Sequence, residues 1–417
     1  GEPASPQEAA RRLQERQRAI KGKARSSRFA LAALKDEQGV VRRLAADVHR
    51  LAQAHGREQN RASRSDDEAF QLWLQMLVPK GGELRMPDGR PWTLRAAIPP
   101  EVFRRETLLQ RSGKAGGLHP FLVDHLQVLP DDHPAVTLYY ELVMRCMAEG
   151  VYPAHYLEIV AVLLPKKTDG LLEMNLLRDV WLINHGAKLA ERCLLHTAMI
   201  PAGKTLSLCH AGGCRGRGCV ELAYALHAMI ADALARRKQL YVLWVDLTKC
   251  FMSFSRTAGA AAMRHRGIPE EALTALRGLV QNWKHGMATG RYETAFGATG
   301  LFDLLRGFLQ GAQGSPEACK IMMDTLAQAL ELKVQGYSMF APDGAGEAVV
   351  QMIFVDDAAN MAGDIGMIRR VALFWSVWCR ITDCQANVKG LDKTVVSGLT
   401  YKTKPDGTMV PVSSEEK

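Results

Sequence analysis

The stretch Val349-Val-Gln-Met-Ile-Phe-Val-Asp356-Asp357-Ala-Ala-Asn-Met-Ala362 decides how the chain is read. Two adjacent acids interrupt an otherwise apolar run, and an isolated buried carboxylate is costly. Such a pair belongs at a turn, on a metal ion, or both. Neighbouring residues of an extended strand face opposite ways, whereas at a tight hairpin both acids can approach one ion. A second run, Leu240-Tyr-Val-Leu-Trp-Val-Asp246-Leu-Thr-Lys-Cys-Phe251, ends in a carboxylate where a buried strand should emerge. Taken singly, the first motif reads as a solvated hairpin tip and the second as a strand-end cap. Taken together they supply three acids that only the fold can assemble. Hard divalent cations such as Mg²⁺ accept a few carboxylates together with water and phosphate oxygens.

The rest of the composition sets the frame. The chain has 417 residues, 47% hydrophobic and 23% charged, the balance of a globular protein with two or more packed subdomains. Its net charge of +9 suggests a polyanionic partner. Residues 1–65 hold 15 Lys/Arg against 7 Asp/Glu, so +8 of that excess lies in the first sixth. This stretch is expected to add affinity for a nucleic acid rather than chemistry. Nine cysteines without a Cys-x-x-Cys pair imply free thiols in a reducing, intracellular compartment, nuclear or cytoplasmic. Apolar windows such as Leu157–Leu164 are far shorter than a bilayer span, so no membrane partner is expected. The chain opens on Gly1 without Met and reads as a piece of something longer.

Periodicity divides the chain. Residues 7–58 repeat Leu, Val and Ala at three- and four-residue steps and predict one or two basic helices, broken near Ser26-Ser27. They form a basic helical extension over 1–78, followed by a Gly/Pro-rich linker over 79–113. Beyond it, Val160–Leu164, Leu240–Leu247 and Val349–Val355 have the length and β-branching of strands. Glu221–Ala235, Pro269–Asn282 and Pro316–Leu332 have the length and caps of helices. Helices and strands mix without strict βαβ alternation, so the fold class is α+β.

From about Lys114 to Val396 an ordered series of motifs resembles the reverse transcriptase domain of non-LTR (LINE-like) retrotransposons. Ser112-Gly-Lys-Ala-Gly-Gly117 is similar to the family's Lys-Ala-Pro-Gly opening, with His119-Pro120 where Asp-Gly is usual. Ala161-Val-Leu-Leu-Pro-Lys-Lys-Thr-Asp169 resembles the first fingers strand. Asn175-Leu-Leu-Arg178-Asp-Val-Trp-Leu-Ile-Asn184 and Lys188-Leu-Ala-Glu-Arg192 resemble the segment and helix that follow it. His210-Ala-Gly-Gly-Cys-Arg215-Gly-Arg-Gly218 is similar to Gln-x-Gly-Phe-Arg, with Cys214 replacing the aromatic. Asp246 to Ser253 resembles the first catalytic motif, with Met252 at its second acid. Arg306-Gly-Phe-Leu-Gln310-Gly311-Ala-Gln-Gly-Ser315-Pro316 keeps the spacing of the template-grip motif. Phe354-Val-Asp-Asp357 resembles Tyr-Ala-Asp-Asp, and Asn387 with Lys393-Thr394 resembles the closing Asn-x-x-Lys-Thr, slightly expanded.

The resemblance implies a right-hand polymerase, with fingers over 114–239 and a palm over 240–400 whose antiparallel sheet is backed by helices. Residues 401–417 would be a truncated tail too short for a helical thumb. It implies an RNA-directed DNA polymerase that copies an RNA template from a DNA primer with dNTP substrates, using Mg²⁺, for which Mn²⁺ could substitute. The implied catalytic residues are Asp246, Asp356, Asp357 and Lys393, the last a proton donor to pyrophosphate. The implied metal ligands are Asp246, Leu247, Asp356 and Asp357. Nucleotide binding falls to Lys166, Arg178, Phe251 as a steric gate, Gln310 and Gly311. Template binding falls to Arg215, Arg217, Ser315 and Pro316. The spacing Cys209-x4-Cys214-x4-Cys219 suits a phosphate-contacting loop better than zinc. Two rivals stand beside this reading: a decayed element protein that only binds RNA, and a related RNA-dependent RNA polymerase.

Overall fold

The computed structural model describes residues 31, 33–78, 82–113, 116–117, 123–165, 173–214, 216–282, 286–309, 311–339, 348–388 and 393–412. The chain is α+β. In chain order the elements used below are helices α1 (Ala45–Gln59), α2 (Asp67–Gln75), α3 (Pro100–Leu109) and α4 (Pro134–Glu149), then strands β1 (Glu158–Pro165) and β2 (Leu177–Leu182). Next come α5 (His185–Leu194), α6 (Cys219–Arg236), β3 (Leu240–Val245), α7 (Cys250–Ser253), α8 (Arg256–His265) and α9 (Glu270–Gly278). They are followed by β4 (Thr289–Thr294), β5 (Phe302–Asp303), α10 (Ser315–Lys333), β6 (Gln351–Phe354), β7 (Asp357–Ala362), α11 (Ile365–Thr382) and β8 (Val395–Leu399).

The chain forms two compact units. The first takes Gly1–Ala62, Glu83–Ala202 and Gly267–Ser315; the second takes Ser63–Gly82, Gly203–Arg266 and Pro316–Lys417. In the first, the sheet order is β5-β4-β1-β2, with β1 and β4 parallel and the other pairs antiparallel. Its face is filled by Trp181, Tyr292 and Phe302, whose rings meet at 5.3–6.2 Å between centroids. Helix α1 belongs to this unit: His49 reaches Thr294, Gln53 donates to the Leu301 carbonyl, and Leu305 donates to the Asn60 carbonyl.

The expected helix over 7–58 is shorter than the periodicity suggested. Of the described part, only Ala45–Gln59 is an α-helix, while Leu34–Lys35 and Val41–Arg42 pair as a small hairpin. Asp36 explains the difference, because its carboxylate accepts from the amides of Gln38 and Val40 and pairs with Arg42, stabilising a turn where a helix would have run. Residues 1–30 lie outside the described residues.

The second unit is built on an antiparallel sheet of order β6-β7-β3-β8. One face is closed by α6, which brings Met229 and Ala233 onto Leu240, Val242, Met352, Ala359 and Met361. The opposite face holds α11, whose Trp375 donates its indole N–H to Asn360 at 3.0 Å. Helix α10 is buried along Glu317–Leu330 on all sides, and Trp378 and Trp73 both hydrogen-bond to its Thr325. Burying this much apolar surface supplies the stability of the unit, at about 25 cal/mol per Å² removed from water.

Candidate active site

Strands β6 and β7 pair from Gln351↔Asn360 to Phe354↔Asp357, which leaves Val355 and Asp356 as a two-residue turn. Val355 has φ +64°, a left-handed conformation that costs an L-residue roughly 1–2 kcal/mol and suits a β-branched one least. Such a residue persists only where its surroundings hold it. Those surroundings are the Cys209–Gly212 segment, which runs along the free edge of β6. The Ile353 amide donates to the Cys209 carbonyl and the Ala211 amide to the Ile353 carbonyl, both at 2.9 Å. Gly212 then lies directly under the turn. A Cβ there would press on the Val355 amide nitrogen, sit 2.7 Å from Val355 Cγ2 and 2.9 Å from the Phe354 carbonyl carbon. Only glycine fits.

Strand β3 lies beside β7, with Ala358 opposite Val245 and Ala359 opposite Trp244. Because side chains alternate, Phe354, Asp357 and Asp246 form one row across the sheet, and Met352, Ala359, Trp244 and Val395 form the next. Asp246 is held from the other side. Asn387 Nδ2 donates to its Oδ2 at 3.0 Å, the Asn387 amide donates to its carbonyl at 2.7 Å, and Lys393 Nζ is 3.4 Å from Oδ2. Partial burial, and then the negative charge of Asp246, push the Asp357 carboxyl above the usual carboxylate range, against the pull of Lys393. Lys393 offsets part of this repulsion between the two carboxylates. Among the described residues no group of three or more His, Cys, Asp or Glu side chains is placed to hold a metal ion, so Asp246, Asp356 and Asp357 are not drawn together into one three-acid site. The donors present are carboxylate oxygens at the exposed end of the face that α6 packs, a donor type that suits a hard divalent cation completed by water and substrate oxygens.

The remaining expected residues divide clearly. Phe251 is the only partly exposed residue of the Cys250–Phe254 turn, whose other members are buried. Leu247 has a buried side chain and only a main-chain carbonyl to offer an ion; it forms an antiparallel bridge with Ala386. Arg217 is exposed and donates to the carbonyls of Leu208 and His210. Arg178 is exposed on β2, and Gly311 belongs to the same first unit, where with φ +115° it lets the chain pass the main chain of Trp181. Ser315 is buried and donates to the Leu309 carbonyl, while Pro316 is exposed at the start of α10. Lys166, Arg215 and Gln310 lie outside the described residues.

Two residues escaped the sequence reading. Trp244, 36% exposed, follows Val242 onto the face that bears Asp246, and its indole N–H donates to Ser397 Oγ at 2.9 Å. The other is Gly212. The signal for Trp244 was its position two before the acid, which places both on one face. Compared with known proteins, the chain matches no family model and no curated protein.

Proposed function

We propose that this chain is an RNA-directed DNA polymerase of the non-LTR retrotransposon type, extending a DNA primer along an RNA template with dNTPs. The observation that carries the reading is the row Phe354–Asp357–Asp246, with the strained Val355-Asp356 turn at its end, at the exposed end of the sheet face whose other end is packed by α6. Mg²⁺ ions, or Mn²⁺ in their place, held by Asp246, Asp356 and Asp357 would activate the primer 3′-hydroxyl and offset charge on the departing pyrophosphate. The protein's part is geometric. Asn387 and Lys393 fix the Asp246 carboxylate, the β7–β3 register sets Asp357 across from it, and the turn would bring Asp356 to the same ions. In the reaction the 3′-oxygen forms a bond to the α-phosphorus as the bond to pyrophosphate breaks, and the hydroxyl proton leaves to solvent or a nearby base. Phe251, at the open side of its turn, would crowd a ribose 2′-hydroxyl and favour deoxynucleotides.

Extension of a primed RNA template in Mg²⁺, with Asp356→Ala as control, tests the reading. The wild type is expected to add dNTPs and the variant to add none. Phe251→Ala should raise NTP incorporation relative to dNTP. Faster NTP addition by the intact protein would indicate an RNA polymerase, and template binding without any extension would indicate an RNA-binding protein only.

A further inference from the structure

Helix α10 is buried on every side between Glu317 and Leu330, yet it carries Glu317, Lys320, Asp324, Gln328 and Glu331 at three- and four-residue steps. That spacing gathers them into one polar stripe. The stripe faces the segment that supports the catalytic turn. Lys320 Nζ donates to the Gly213 carbonyl at 3.2 Å and pairs with Glu317 at 2.6 Å. Asp324, fully buried, accepts from the Ser207 amide at 2.7 Å and from Gln328 Nε2 at 2.6 Å, and pairs with Arg266. Arg266 in turn donates to the Thr205 carbonyl at 3.0 Å, and Ser207 Oγ donates to Glu331 at 3.1 Å. His210 lies 3.3 Å from Asp324; burial, and then the charges of Lys320 and Arg266, push it down to about 3, so its ring is neutral.

A buried ionic cluster is expensive in desolvation, and apolar residues of equal volume would often serve stability as well. Its best-attested use is to fix one register among several. Here the register is that of residues 207–213. Asp324 holds one end of the segment and Lys320 the other. Between them, Cys209 and Ala211 bond to Ile353, and Gly212 bears on Val355. We infer that Asp324 and Lys320 are positioning residues that hold the Asp356-Asp357 turn at its working distance from Asp246, acting through the Ser207–Gly213 segment. The inference rests on the reading of that turn as a two-metal nucleotidyl-transfer site.

Two variants probe it without leaving a buried charge alone. Glu317→Gln/Lys320→Met removes both charges at similar volume and abolishes the bond to Gly213. Gly212→Ala pushes on the turn directly. Mn²⁺ binding to the full chain, read by electron paramagnetic resonance, needs no turnover and is measured beside Mg²⁺-dependent primer extension, thermal melting and RNA template affinity. The expected result is about tenfold weaker Mn²⁺ binding and a matching rise in the Mg²⁺ needed for half-maximal extension, with template affinity unchanged and melting within a few degrees of wild type. Asp356→Ala should lose the Mn²⁺ site. Unchanged Mn²⁺ affinity in both clamp variants would overturn the inference, as would a wild type that binds no Mn²⁺. If the wild type binds Mn²⁺ but extends no primer, the polymerase reading fails while the clamp still stands or falls on the Mn²⁺ affinities.

Discussion

Replacing Asn360 by alanine should destabilise the second unit by about 3–7 kcal/mol. Asn360 is fully buried in the middle of β7 and joins three elements through one amide. Its Oδ1 accepts from Gln351 Nε2 at 2.9 Å on β6 and from Trp375 Nε1 at 3.0 Å on α11, and its Nδ2 donates to the Leu243 carbonyl at 3.0 Å on β3. Alanine leaves two buried donors without an acceptor, at roughly 1–3 kcal/mol each. The space left by the amide group adds about 1 kcal/mol. Trp375→Phe removes one donor and leaves Oδ1 still bonded to Gln351, so it should cost only about 1 kcal/mol. In the double variant the orphaned indole N–H no longer exists, and the total should fall short of the sum of the single changes by about 1–2 kcal/mol. Urea unfolding followed by far-ultraviolet circular dichroism, with an unchanged slope against denaturant, measures each figure. A loss below 1 kcal/mol for Asn360→Ala, or strict additivity with Trp375→Phe, would refute the reasoning.

Other outcomes follow from the same chemistry. Trp244→Ala should weaken binding of a primed template by about 1–3 kcal/mol, the range for a base stacked on an aromatic ring; fluorescence anisotropy at fixed salt reads it, and unchanged affinity would exclude Trp244 from the nucleic-acid path. Asp357 has its pKa raised in the folded protein, so its protonated form is favoured there and stability falls as pH rises from the unfolded to the folded pKa. A bound cation reverses this by competing with the proton: Mn²⁺ affinity should climb as pH rises past the usual carboxylate range, and the slope should flatten in Asp357→Asn. In the first unit, Glu106 is 1% exposed, and although burial raises its pKa, His196 and Arg105 hydrogen bonds and the nearby charge of Arg192 bring the net below the usual value. Its stabilisation is present above the unfolded pKa and lost as pH falls through the folded one. Glu106→Gln should cost about 2–4 kcal/mol at pH 7 and remove that part of the acid sensitivity, as thermal melting between pH 3 and 7 would show.

How much of this was legible in the sequence depended on whether a residue's neighbours were local. The carboxylates were legible because an acid at the end of an apolar strand has few inexpensive explanations, and Asp246 and Asp357 do emerge on one face of adjacent strands. Helices α6 and α10 were legible from length and caps, and occur as Cys219–Arg236 and Ser315–Lys333. The role of the α10 stripe was not. Charges spaced at three and four residues usually mark a face turned to water. Nothing in the local pattern shows that Glu317, Lys320 and Asp324 meet a segment a hundred positions earlier. Gly212 was hidden likewise, since its requirement comes from Val355 on another strand. Ser315 and Gly311 show the converse: their side-chain and backbone demands are met inside the fold, by Leu309 and Trp181.

The alternation of the chain between its two units bears on how the protein can be made and cut. Six successive segments alternate between them, so neither unit is a continuous stretch. During synthesis, β1 must wait for β4, and β3 for β8, before either sheet closes. Contacts this distant in sequence slow folding and keep sheet edges open to self-association in the interval. No single truncation yields one unit intact. Removing residues 1–65 would strip α1 from the first sheet as well as the basic excess, so charge-reversing substitutions at exposed arginines such as Arg43 and Arg57 are the cleaner way to ask what that charge contributes.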